Sequence, residues 1–207
     1  ISIKLSKKIL HKTLIYISLF LFSFFFNFYY GYRGVLPIDS FLIFDSGYFV
    51  LEGNYPFRDF WTVTGPLLDY IQSIFFYIFD VNWLSYVIHS SLMNFLLAIF
   101  TYLFCINLGL NKTYSIIYSF SASILAYPSV GTPFPDHHAF IFSVISVFLM
   151  IFADIKKKNY YYFFVSLFLF LSFLSKQVNS FYLIIFFSAF FLYDFIISKG
   201  KNLKKIY

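Results

Sequence analysis

The chain has 207 residues, of which 60% are hydrophobic and 27% aromatic, with only 12% charged and a formal net charge of +6. Soluble domains carry about a quarter charged residues, so a water-soluble fold is excluded, and apolar runs of roughly 17 to 25 residues point to a polytopic helical membrane protein. The excess lysines lie beside those runs, where they orient helices and meet anionic head groups, which argues against a nucleic-acid partner.

The opening stretch, "ISIKLSKKILHKTLIYISLFLFSFFFNFYY", sets basic residues ahead of an apolar run, as a signal peptide does. The run is long and has no small-x-small cleavage site, so it predicts an uncleaved membrane helix over 13–30. A loop over 31–83 follows. Pro37 and Asp39 predict a helix start with Asp39 near the N-cap, and Gly53 with Asn54 predicts its stop. The link "NYPFRDFWTVTGP" is irregular because Pro56 and Pro66 break regular structure.

Next comes "PLLDYIQSIFFYIF" at 66–79, which is short for a span and contains Asp69 and Gln72. Its polar positions Asp69, Gln72, Ser73 and Asp80 fall roughly on one helical face. Five further spans are predicted over 84–106, 113–128, 138–154, 160–175 and 178–197. Cys105, the single cysteine, stands in an apolar run and leaves no disulfide framework or thiolate metal site.

Charge arbitrates the ambiguous run. If 66–79 does not span, Lys4, Lys7, Lys8, Lys12, Lys112, Lys156, Lys157, Lys158, Lys199, Lys201, Lys204 and Lys205 share one side, which is twelve of the fifteen basic residues. If it spans, that bias collapses. The expectation is therefore an all-α protein with about six transmembrane helices and two surface helices, the second lying along the membrane or re-entering it. Arg33, Asp39, Asp45, Glu52, Arg58, Asp59, Asp69, Asp80, Asp136 and Lys176 then gather at the face opposite the lysines, while Asp154 and Asp194 lie at the inner ends.

Residues Asp39, Gly53, Tyr55, Pro56, Phe57, Asp59, Gly65, Pro66 and Leu67, together with "PFPDHHAF" and "FLSKQVN" further on, resemble the GT-C membrane glycosyltransferases. The nearest likeness is to bacterial relatives of the dolichyl-phosphate-mannose protein mannosyltransferases and of the aminoarabinose lipid A transferase. The resemblance runs along the whole chain as one module, 1–207. It implies further membrane helices and often a soluble C-terminal domain, so the chain reads as an N-terminal fragment.

It also implies transfer of a sugar from a polyprenyl-phosphate donor to a lipid, glycan or protein acceptor at the periplasmic face of a bacterial inner membrane, with the N-terminus cytoplasmic. An aspartate serves as general base for such a step. Asp39, 14 residues before Gly53, is the first choice and Asp45 in "FDSGY" the second; an N-cap and a solvated surface acid are their structural alternatives. Asp136 is expected to contact substrate or donor. With His137 and His138 it forms the one cluster of metal-ligating types, for a divalent cation such as Mg2+ or Mn2+, although adjacent histidines do not easily face one centre.

Lys176 is expected to meet the donor phosphate. Arg58 and Asp59 either pair or face the donor, where a guanidinium forks onto phosphate oxygens. His89 reads as a packed polar residue. The competing functions are a transporter or lipid flippase, and a non-catalytic membrane fragment; acids clustered at one face, with almost none in mid-span, favour interfacial catalysis.

Overall fold

The computed structural model describes residues 2–36, 38–126 and 130–203, the side chains of 2–9, 11, 194 and 198–203 excepted. Pro37, Lys204 and Lys205, and the side chains of Lys4, Lys7, Lys8, Asp194, Lys199 and Lys201, lie outside what is described. The described residues form eight helices and no β-strand: α1 (Ser2–Gly31), α2 (Asp39–Leu51), α3 (Leu67–Phe79), α4 (Trp83–Asn107), α5 (Lys112–Leu125), α6 (Pro135–Lys156), α7 (Tyr160–Ser175) and α8 (Gln177–Leu203).

Four segments are long and apolar enough to cross a bilayer: Lys12–Gly31, Trp83–Asn107, Pro135–Lys156 and Gln177–Ile197. Their directions follow from contacts at both ends. The Trp83 ring N–H donates to the Gly31 carbonyl at 2.8 Å, while Ile15 and Leu19 pack on Tyr102, so α1 and α4 are antiparallel. At one end of α4 the Tyr86 hydroxyl donates to Pro133 O at 3.5 Å, and at the other Lys156 donates to Asn107 at 2.7 Å, so α4 and α6 run parallel. The chain must therefore return between them, and α5 is the helix that returns it.

Helix α5 shows how it packs. Ser115, Ser119 and Ser123 recur every fourth residue, are fully buried, and each hydroxyl is satisfied by the carbonyl four residues earlier. Such small-residue stripes let helices approach closely where lipid supplies no hydrophobic drive. Asn94 of α4 closes the contact by donating to Ser23 O at 3.0 Å and Ser123 O at 3.3 Å. Helix α7 runs back along α6, with Ser172 donating to Ala139 O at 2.9 Å near one end and Tyr161 edge-on to Phe152 near the other.

Lys12, Lys112 and Lys156 to Lys158 consequently stand at one end of the bundle, the lysine end. The opposite end is capped by α2 and α3. Helix α2 stops as expected at Gly53, whose φ of 89° lies in the left-handed region; the Gly53 and Asn54 N–H groups donate back to Val50 O and Phe49 O, the paired bonds of a Schellman motif. Its start also falls where expected, with Asp39 next to the cap. Ile38 occupies the N-cap and no side chain caps the helix; Asp39 is the first helical residue and is exposed.

Both ends of α3 belong to the capped end. Gly65, just before it, donates its N–H to Ser175 O at the end of α7 at 3.2 Å, and α4 begins after a connection of three residues. Helix α3 therefore does not cross. Its faces are turned the other way from those of a helix floating on water: Asp69 and Gln72 are buried against α2 and α4, while Ile74, Tyr77 and Ile78 are exposed. An apolar surround reverses the usual sense of amphipathicity, which suits a helix set into one leaflet.

Candidate functional site

The capped end gathers three polar groupings. The first is a cleft between α2 and the link, about 140 Å³ in volume, lined by Asp45, Ser46, Phe49, Phe60, Trp61 and Thr62. Behind it, the Ser46 hydroxyl donates to Asp69 Oδ1 at 2.6 Å. Asp69 is wholly buried; the Thr62 hydroxyl is near enough to favour its charged form, yet Oδ2 makes no hydrogen bond. Desolvation dominates over both hydroxyls and pushes the Asp69 carboxyl up from 3.8 to about 6.

The second grouping is a buried line through α3, α4 and α6. His89 Nδ1 lies 2.9 Å from the Gln72 side-chain oxygen, His89 Nε2 lies 3.1 Å from His138 Nε2, and His138 Nδ1 lies 2.9 Å from the Phe134 carbonyl. The carbonyl can only accept, so His138 carries its proton on Nδ1 and offers a lone pair at Nε2. His89 then donates through Nε2 and needs a donor at Nδ1. Gln72 Nε2 has no partner as the amide stands, and a half-turn of that amide supplies the donor for a neutral pair.

Replacing His138 with Ala leaves the His89 N–H buried without an acceptor. His138→Ala is expected to lower stability by about 1 to 3 kcal/mol, read as the unfolding temperature in detergent.

The third grouping is an ion pair. Asp136 sits in the first turn of α6, where Pro135 opens the helix and the helix dipole favours an acid. Lys176, extended between α7 and α8, donates to both of its oxygens at 2.6 and 2.8 Å. Both side chains are part-exposed, so the pair is a modest contributor to stability and its charges are reachable from outside.

The remaining expected residues sort as follows. Arg58 and Asp59 pair with each other, Nη2 to Oδ2 at 2.7 Å, and the same oxygen accepts from the Tyr55 N–H at 2.8 Å. The Arg58 guanidinium holds the Asp59 carboxyl below its ordinary value, with the Tyr55 N–H adding to the effect. Both residues are solvent-facing and brace the turn in the link.

His137 is buried with the Ala126 backbone near its ring, though neither ring nitrogen makes a hydrogen bond of good geometry among the described residues, and its ring stands edge-on to His138. Asp136, His137 and His138 thus address different partners, and among the described residues no three His, Cys, Asp or Glu side chains converge as a metal would need. Asp39 lies six residues, about 9 Å, from Asp45 along α2.

Two of these placements were not expected from the residues alone: Asp69 and Gln72 as interior groups, and His89 joined to His138 across 49 residues. What ties the groupings together is the link. Thr62 lines the cleft, and three residues on, within about 10 Å of chain, Gly65 is bonded to Ser175, the neighbour of Lys176. The chain matches no protein-family model, no curated protein and no solved structure.

Proposed function

We propose that the capped end is the active face of a membrane glycosyltransferase, which moves a sugar from a polyprenyl-phosphate donor to a lipid, glycan or protein acceptor. The observation that favours this reading is the bond between Gly65 and Ser175, which ties the link that lines the Asp45 cleft to the residue before Lys176. Asp45 is the base, taking the proton of the acceptor hydroxyl as its oxygen attacks the anomeric carbon. The polyprenyl phosphate leaves with its negative charge, which the Lys176 ammonium offsets once it turns from Asp136. Asp45 is preferred to Asp39 because it lines the cleft, whereas Asp39 lies outside that lining at the first residue of α2; both are exposed.

The same reading takes the chain as crossing the membrane six times. Helices α5 and α7, about 21 and 24 Å long, are shorter than the ~30 Å hydrocarbon layer, but each must return the chain between parallel neighbours. The lysine end is cytoplasmic by the positive-inside rule and the capped end periplasmic, in a bacterial inner membrane. A divalent cation, Mg2+ or Mn2+, belongs to the proposal only through the acid Asp136.

A transporter or flippase is the second reading, favoured by the buried His89 and His138 pair inside spanning helices. One experiment separates them: the protein in proteoliposomes is given a polyprenyl-phospho-sugar, and both transfer to an acceptor and movement of the lipid between leaflets are followed. Asp45→Asn is expected to lower transfer by at least a hundredfold, with Asp39→Asn near wild type. Lipid movement without transfer would overturn the enzyme reading, and equal turnover in Asp45→Asn would remove Asp45 as the base.

A further inference from the structure

The wall of the cleft has a chemical polarity of its own. Ser46 spends its single proton on Asp69, 2.6 Å away, so its remaining lone pairs are what it can present to the cleft it lines. Asp45 beside it is acceptor-only when ionised. Three rings, Phe49, Phe60 and Trp61, with Leu42 and Thr62, make up the rest of the lining, and Trp61 is 80% exposed. A volume of about 140 Å³ is well below the ~300 to 1,000 Å³ of pockets that enclose a drug-sized molecule, so the cleft takes one ring-sized group.

The group that satisfies such a wall donates hydrogen bonds along one edge and lays an apolar face on aromatic rings. A sugar ring has both. We propose that Asp69 is a positioning residue: by fixing Ser46 as a hydrogen-bond acceptor beside Asp45, it makes the cleft select a sugar ring through a particular hydroxyl. The proposal rests on the glycosyltransferase reading and adds to it the residue that sets hydroxyl selectivity, acting through Ser46 from behind the wall.

The choice of aspartate explains an otherwise costly feature. A buried carboxylate with one oxygen unpartnered is unfavourable for folding, and a serine hydroxyl facing a leucine there would fold as well. What the leucine would lose is direction, since a free hydroxyl rotates and can donate as readily as accept.

The test uses the protein in lipid vesicles with Trp83→Phe, so that Trp61 is the single tryptophan, and titrates methyl hexosides and their monodeoxy analogues. The expected result is a saturable change of Trp61 emission and a deoxy position that weakens binding about tenfold, the size of one hydrogen bond to a polarised acceptor. Ser46→Ala and Asp69→Leu should remove that penalty, so that parent and deoxy sugar bind alike, while Ser46→Thr, which keeps the hydroxyl, restores it.

A purely structural role for Asp69 would weaken both sugars together and leave the penalty intact, which overturns the proposal, as does a wild type with no saturable response to any hexoside. Ser46→Ala guards against an Asp69→Leu variant that does not fold. If the deoxy penalty behaves as expected but no sugar is transferred from a polyprenyl-phospho-sugar, the enzyme reading fails while the cleft assignment stands.

Discussion

Gly65→Ala is expected to give little or no folded protein. A Cβ on Gly65 would fall inside the contact distance of the Leu174 backbone carbonyl, and no flexible side chain stands there to yield. The backbone of the link or the end of α7 must move, and the Gly65 N–H bond to Ser175 O is lost with it. Overpacking a tight site costs about 1 to 3 kcal/mol, and more where the obstacle is backbone, so a loss of about 3 kcal/mol or more is anticipated. Folded yield in detergent and unfolding temperature measure it. Gly34→Ala, where an added Cβ meets nothing within 4 Å, is the control and should change stability by less than about 0.5 kcal/mol. Equal behaviour of the two variants would show that the link and α7 are not in close contact.

The second large effect concerns acid. The contribution of Asp69 to stability is expected to rise as pH drops from about 7 to about 4, because burial lifts its carboxyl from 3.8 to about 6. Within that interval the folded chain binds a proton that the unfolded chain leaves off, so protonation draws the equilibrium toward the folded state. The gain is complete once pH is below the unfolded value and absent well above the folded one. A rise of this size corresponds to on the order of 3 kcal/mol. Asp69→Asn, which cannot titrate, should lose this contribution, so that its stability relative to wild type falls as pH drops; thermal unfolding in detergent across a pH series reads the difference. Parallel profiles for the two proteins would show that Asp69 does not titrate in this window.

The helical class was legible because few charges and long apolar runs admit no other membrane solution, and the stop at Gly53 because a Schellman turn is local chemistry. The grouping of Asp69 and Gln72 on one face of 66–79 was legible as well, but not the side toward which it turns. Period gives the stripe, and only the surroundings, lipid or water, give its direction. The start of α2 was legible for the same reason: a Pro and an Asp before an apolar run signal it, and the helix begins at Asp39 with the cap on Ile38.

The long-range partnerships could not be read, since Lys176 meets Asp136 across 40 residues and His89 meets His138 across 49. The histidine pair needs α4 and α6 to run parallel and the ion pair needs α7 to run back along α6. The predicted spans over 113–128 and 160–175 imply those directions, but not which side chains then meet.

Helix α3 begins on a bond to the end of α7 and is joined to α4 by a connection of three residues. Mechanically it is a strut, and it holds two walls of the capped end at a fixed spacing. The mouth cannot widen by parting α4 from α7 without tearing that strut loose at Gly65. Compliance is left to α8, the least buried of the long helices, whose first residue follows Lys176 directly. A swing of α8 would carry the lysine away from Asp136, so on the proposed glycosyltransferase reading the opening of that side and the release of the cation would be one motion.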